Sequence, residues 1–274
     1  MSRLRAAARP LLLVVLLVGL LLPLLPLLPL LLYAFASSYR YPALLPEGLS
    51  LRAVRLLGAP GADVLEGLAT SATIATAVAL LAGLIGLSAG RALGLYSFRG
   101  KRLVQFLLLA PVIVPGLAVV LGIHVLFLRY GLADTRSGVV LVHLIPTIPY
   151  VTLVMGATFA NYDVAYEEQA RVLGAGPLRV FAQVTLPQVA PGLVVAMLFA
   201  FLISWSEYVL TLLVGGGTVK TLPLLLFASL GSPDTARTAV LALVIVLPPV
   251  LLLVATSRLL SGGGRAGLAG LGRL

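Results

Sequence analysis

Six long apolar runs divide the chain, at Leu11–Tyr33, Leu68–Ala89, Leu103–Phe127, Gly138–Phe159, Val189–Val214 and Thr238–Thr256. A membrane-crossing helix needs about 20 predominantly apolar residues, and each run meets or approaches that length. Polar positions concentrate between the runs, so the pattern predicts six transmembrane helices joined by short loops. An even number of spans puts both termini on one side. That side carries twelve of the nineteen lysines and arginines: Arg3, Arg5 and Arg9, Arg91, Arg99, Lys101 and Arg102, Arg171 and Arg179, and Arg258, Arg265 and Arg273. The other side has seven, interspersed with five acids. The excess of positive charge marks the cytoplasmic face, so both ends and the loop after the fourth run are expected in the cytoplasm.

The first run imitates a secretory signal, with a basic start and "AFA" at Ala34–Ala36. Its apolar stretch exceeds the roughly 7–15 residues of a signal core, so it reads as a retained helix kinked by Pro23, Pro26 and Pro29. The stretch after it, "SSYRYPALLPEGLSLRAVRLL", is turn-rich and then amphipathic, which predicts a short helix lying at the outer surface. The glycine-rich tail after Ser261 reads as a flexible end.

Composition narrows the function. Of 274 residues, 60% are apolar and only 10% charged, which a water-soluble domain would not tolerate. The formal charge of +10 is scattered over short loops instead of gathered in a patch, so nucleic acid is not an expected partner. The absence of cysteine excludes disulfides, thiolate metal sites and cysteine nucleophiles. His124 and His143 lie in separate apolar runs, where hydrogen bonding between helices is expected of them in place of a metal site. Pro111, Pro115, Pro146 and Pro149 predict kinks in the third and fourth helices.

The segment Asp163–Pro187 contains the sequence's one adjacent pair of carboxylates, Glu167 and Glu168. Asp163 suits an N-cap, which brings both acids into the first turn, where the helix dipole favours them. Arg171 stands four residues from Glu167 and three from Glu168, within reach of either. Gly174 suits the stop of that helix and Pro177 the start of a second, with Leu186–Pro187 turning the chain into the fifth span. The expected product is two short helices folded in an L beneath the membrane, a handle for another protein.

Here the residues resemble a known family. Glu168-Gln169-Ala170, three residues, Gly174, nine residues and Val184-Thr185-Leu186-Pro187 are similar to the "EAA" loop of binding-protein-dependent ABC importer permeases, whose pattern is EAA, three residues, G, nine residues, I, any residue, LP. Gln169 and Val184 depart from it, and Gln169 leaves the packing of one side of the loop open. "LLAPVIVPGLAVVLGIHVLF" and "LPQVAPGLVVAMLFAFLISWSEYVLTLLV" are similar to the same family.

The resemblance implies a single all-α transmembrane domain over 1–274, with six helices and a coupling-helix loop at 163–187 between the fourth and fifth. It implies coupling to an ATPase through Glu167, Glu168, Ala170, Arg171, Gly174, Leu186 and Pro187, with Glu168 and Ala170 facing that ATPase. The implied partners are a cytoplasmic ATPase dimer, a second permease and an extracytoplasmic solute-binding protein, in a bacterial or archaeal cytoplasmic membrane. No cofactor is expected on this chain, since ATP and magnesium belong to the ATPase. In accord with that, the sequence lacks a phosphate loop: "GKR" at Gly100–Arg102 misses the hydroxyl residue and the upstream glycine. The chain is thus expected to be a transporter subunit without catalysis of its own.

Glu207 is the one acid inside an expected span, which makes it a candidate pathway or gate residue together with Trp205, Ser206 and Tyr208. A helix-packing role for Glu207, and an interfacial one for the aromatics, are equally open readings. The fifth-run stretch is similar to permeases for polyamines, ferric iron, thiamine or phosphonates. The alternatives are a sugar or glycerol-phosphate ABC permease and an ion-coupled secondary transporter, which would call for paired intramembrane charges and internal repeats. A membrane scaffold that transports nothing would leave the loop spacing unexplained.

Overall fold

The computed structural model describes residues 18–19, 21–22, 25–37, 45–59 and 63–271, with side chains as far as Arg258. Of the expected first span, residues 11–17, 20, 23 and 24 lie outside these residues. Its longest described helix is α1, Leu27–Ala34. The expected surface helix appears as the short α2, Arg52–Leu56, followed by α3, Val64–Leu95. Among the described residues there is no strand, only one isolated antiparallel bridge between Ala36 and Leu49.

The chain forms two compact units, one gathering the described residues up to Val64 with Leu226–Val246, the other Leu65–Leu225 with the chain from Leu247. In the first, small residues close the packing: Ala34, Ala53, Ala236, Ala239 and Val240 are buried together. Arg52 donates to both oxygens of Asp234 at 2.9 Å, and that carboxylate also accepts the backbone N–H of Arg237 at 3.2 Å.

The second unit contains most of α3, then α4, Lys101–Ile113, α5, Gly116–Arg129, and α6, Arg136–Ala160. After it come α7, Ala165–Val172, and α8, Pro177–Val180, which passes through a π-helical turn at Phe181–Thr185 into α9, Leu186–Ser206. Val209–Gly215 forms α10, Leu222–Ser229 α11 and Thr235–Leu271 α12. Among the described residues four helices are long and apolar enough to cross a membrane: Val64–Leu95, Arg136–Ala160, Pro177–Ser206 and Thr235–Arg258. The α4–α5 pair passes the same test together but is bent by 97°.

Hydropathy misplaced several boundaries. The expected helix 68–89 runs over 64–95, and 238–256 over 235–271, because small and charged residues continue a helix beyond the apolar run that hydropathy detects. The expected single helix 103–127 is two. Val114 is extended (ψ 132°) before Pro115, whose ring disfavours a helical predecessor and whose nitrogen cannot donate. The expected helix 189–214 begins earlier and breaks at Glu207, which is extended (ψ 118°). Leu186–Pro187 does not turn the chain either. Helix continues through it, the wider π turn just before it accommodating the hydrogen bond that Pro187 cannot make.

The core of this unit is built around α6, where Val139, Val142, Val151, Met155 and Phe159 are buried against α3, α9 and α10. A close contact joins α3 and α6. Gly86, Gly90 and Gly94 fall on one face of α3 at four-residue spacing, and a Cβ on any of them would collide with Val151, Met155 or Phe159, respectively. Such small-residue stripes let helix backbones approach closely in lipid.

Candidate functional site

The loop between α6 and α9 is organised by one buried carboxylate. Asp163 accepts the N–H of Ala165 at 2.9 Å and so starts α7. Glu167 is the one buried residue of that helix, 1% exposed. Arg91 Nη2, from the last turns of α3, donates to its Oε1 at 3.0 Å and its Oε2 at 2.8 Å. Arg171, one turn along α7, donates to Oε2 at 3.0 Å, and the hydroxyl of Thr185 in the π turn donates to Oε1 at 2.7 Å. Burial alone would raise the Glu167 carboxyl, but hydrogen bonds from Thr185 and Arg91 and the charge of Arg91 outweigh it, holding the group below its ordinary value. Tyr162, beside this cluster, has its hydroxyl pushed up by burial. The guanidinium of Arg91 sits 6.0 Å from the centroid of Phe159, whose ring meets Tyr162 edge to face.

The two adjacent acids therefore separate. Glu167 is an internal anchor, whereas Glu168 and Gln169 are exposed and Ala170 is half-buried. Gly174 has φ +87°, a left-handed turn that reverses the chain after α7 at little cost only for glycine. Around that turn Val172, Leu173 and Leu178 are 87%, 87% and 84% exposed. A tip with three bare aliphatic side chains next to Arg171 and Arg179 is an unfinished interface in chemical terms. Leu186 is half-buried and Pro187 exposed at the start of α9, away from this tip in sequence and serving the π turn.

Sequence reasoning missed Arg91, Thr185 and Tyr162. The apolar run stops just before Arg91, so hydropathy places it among the loop charges. The glycines at 86, 90 and 94 are the signal that α3 continues through it. Thr185 occupies the unrestricted position of the loop pattern, so the pattern gave it no role.

A second polar group lies where α9 breaks. Glu207 Oε1 accepts the N–H of Leu210 at 3.0 Å, capping α10. Thr211 donates its hydroxyl to the carbonyl of Glu207 at 3.1 Å. His143 bridges the two helices, Nδ1 lying 2.8 Å from Ser204 and Nε2 3.0 Å from Thr211. Because the Thr211 hydrogen is committed to the carbonyl, the network puts the ring proton on Nε2 and lets Nδ1 accept from Ser204. The expectation of a helix-bridging His143 thus holds, whereas Nδ1 of His124 is buried without a hydrogen-bond partner. Glu207 also lines a cavity of about 460 Å³ with Pro111, Pro115, Pro146, Tyr150 and Ile203, at the bend between α4 and α5. The other pathway candidates do not line it: Trp205 is buried and stacked on Phe201 at 5.5 Å, Ser206 donates to the carbonyls of Leu202 and Ile203, and Tyr208 is half-buried. Among the described residues no group of three or more His, Cys, Asp or Glu could hold a metal ion.

Comparison with known proteins gives these features a context. The chain is 31% identical over 175 residues to the putrescine transport system permease protein PotI of Escherichia coli, covering 61% of this chain and 62% of PotI. It is 29% identical over 184 residues to the spermidine/putrescine transport system permease protein PotC of Haemophilus influenzae, covering 67% and 72%. In fold it matches a chain of a bacterial ABC transporter involved in import of the acidic polysaccharide alginate, with a TM-score of 0.65 at 18% identity over 94% of this chain and 96% of that one. It also matches a chain of the MetNI methionine ABC transporter in an inward-facing conformation, at 0.53 and 16% over 74% and 99%. The family model described as the binding-protein-dependent transport system inner membrane component spans residues 82–261, which include the glycine stripe, the buried Glu167 and the break at Glu207, and the chain belongs to that family.

Proposed function

We propose that this chain is one membrane-spanning permease subunit of an ABC importer, forming half of a solute pathway and docking through its α7–α8 hairpin on a separate ATPase. The observation that carries the proposal is the hairpin tip, where Val172, Leu173 and Leu178 stand bare around the left-handed Gly174 while Glu167 is fixed inward. An apolar tip on an anchored base fits a cleft in a partner protein. Glu168 and Ala170 complete the docking face, and Arg171 serves both the face and the anchor. On this reading residues 1–274 are one transmembrane domain of six helices with both termini cytoplasmic.

The remaining partners are a second permease and an extracytoplasmic solute-binding protein, while ATP and magnesium are used by the ATPase dimer. The solute is a small cation of the polyamine type. Two observations support this class: the similarity to putrescine and spermidine permeases, and the single carboxylate, Glu207, in a mostly apolar cavity between two broken helices. Interrupted helices facing one cavity are a common build for a transport site.

The test is co-purification and uptake. Leu173→Asp should abolish recovery of the ATPase with this chain while leaving the chain inserted and folded. Vesicles holding the complete transporter should take up radiolabelled putrescine or spermidine in an ATP-dependent manner. Undiminished ATPase recovery by Leu173→Asp would refute the docking face, and uptake of a neutral sugar but no amine would refute the solute class.

A further inference from the structure

We infer that Arg91 is the positioning residue through which movement of the α7–α8 hairpin reaches the membrane helices: its ion pair with Glu167 clamps α7 to the end of α3, and the glycine-packed α3–α6 contact carries the displacement inward. This rests on the reading that the hairpin docks on an ATPase.

The geometry leaves α7 few other handles. Glu167 is its one buried residue, so a force on the exposed side of α7 is resisted mainly where that carboxylate is held. Three elements meet there: α3 through Arg91, α7 itself through Arg171, and the π turn before α9 through Thr185. Arg91 grips both carboxylate oxygens and lies against the ring of Phe159 in α6. The arrangement resists both push and pull, since moving Glu167 off Arg91 would strand a buried charge. Beyond Arg91 the load enters a stiff pair, because Gly90 and Gly94 leave no side chain between α3 and α6 to deform. The covalent route through the π turn into α9 is parallel to this one and survives any change at Arg91. Variants at Arg91 therefore separate the two routes.

The chain has no cysteine, so two introduced cysteines can carry spin labels without background. With labels at Ser88→Cys on α3 and Val172→Cys at the end of α7, the full chain in lipid nanodiscs should give one narrow distance. That distance should broaden in Arg91→Gln and in Glu167→Gln, and narrow again in the exchanged pair Arg91→Glu with Glu167→Arg. Arg91→Lys should fall between, as it keeps the charge but loses the planar guanidinium that lies against Phe159. In the complete transporter, Arg91→Gln should still recover the ATPase, and its unstimulated hydrolysis should stay close to the wild-type rate. Stimulation by the loaded binding protein should fall roughly tenfold, the scale on which one residue alters coupling between sites. Unchanged distances in both glutamine variants would overturn the clamp, whatever the ATPase does. Broadened distances with wild-type stimulation would overturn the transmission role and leave the α9 route. A wild-type chain that recovers no ATPase would overturn the docking reading and this inference together.

Discussion

Replacing Glu167 by lysine puts a third cation beside Arg91 and Arg171 at a buried position, whereas the same change at Glu168 alters an exposed surface. Glu167→Lys should therefore destabilise the folded chain by up to about 3 kcal/mol, the low end for a broken buried pair because both arginines still reach solvent. Glu168→Lys should melt like the wild type yet lose binding-protein-stimulated ATP hydrolysis. Thermal unfolding and ATPase assays on the two variants check this, and equal melting temperatures would remove the distinction. Acid should act through Glu167 as well. Its carboxyl is held below the ordinary value, so its contribution is complete above that value and is lost as pH falls through the lower folded one. The stability advantage of wild type over Glu167→Gln should accordingly hold from neutral pH down to the ordinary carboxyl range, shrink below it and vanish in strong acid. At Gly174, valine places a Cβ on a left-handed turn, a local cost of about 1–2 kcal/mol that should appear as lost coupling more than as lost insertion.

Among the elements, the long apolar helices were legible in the sequence because lipid demands long apolar runs and little else does. Where those helices break was legible only in part. Proline marked the kink in the third, which bends by 97° at Val114–Pro115, but hydropathy has no term for backbone direction, so Glu207 read as part of an unbroken span although it ends a helix. The α7–α8 hairpin was legible down to its capping Asp163 and its turning Gly174, both local signals. Its anchor was not, since Arg91 and Glu167 lie 76 residues apart and nothing local pairs them. The glycine stripe makes a prediction at this scale. Gly90→Leu should force α3 and α6 apart and cost about 1–3 kcal/mol by overpacking. The same change at Gly122, where a Cβ meets nothing within 4 Å, should be nearly neutral. Comparable melting of the two variants would show that the stripe does not set the helix spacing.

For the whole molecule, membership of the binding-protein-dependent transport family agrees with a chain that has no phosphate loop. The polypeptide purified without partners should hydrolyse no ATP. Reporters fused or attached at the Gly94–Lys101 and Tyr162–Gln183 segments should respond on the cytoplasmic side, and one in Gly215–Asp234 only on the outside. The close approach of α3 to α6 has a thermodynamic consequence as well. Inside a bilayer, separating the two helices would expose backbone and valine, methionine and phenylalanine side chains to hydrocarbon tails and not to water. No ordered hydration shell would form, so the step should carry almost no change in heat capacity. The strength of this contact should then vary almost linearly with temperature, without the low-temperature weakening that limits water-exposed cores, and the α3–α6 joint should keep its grip in the cold.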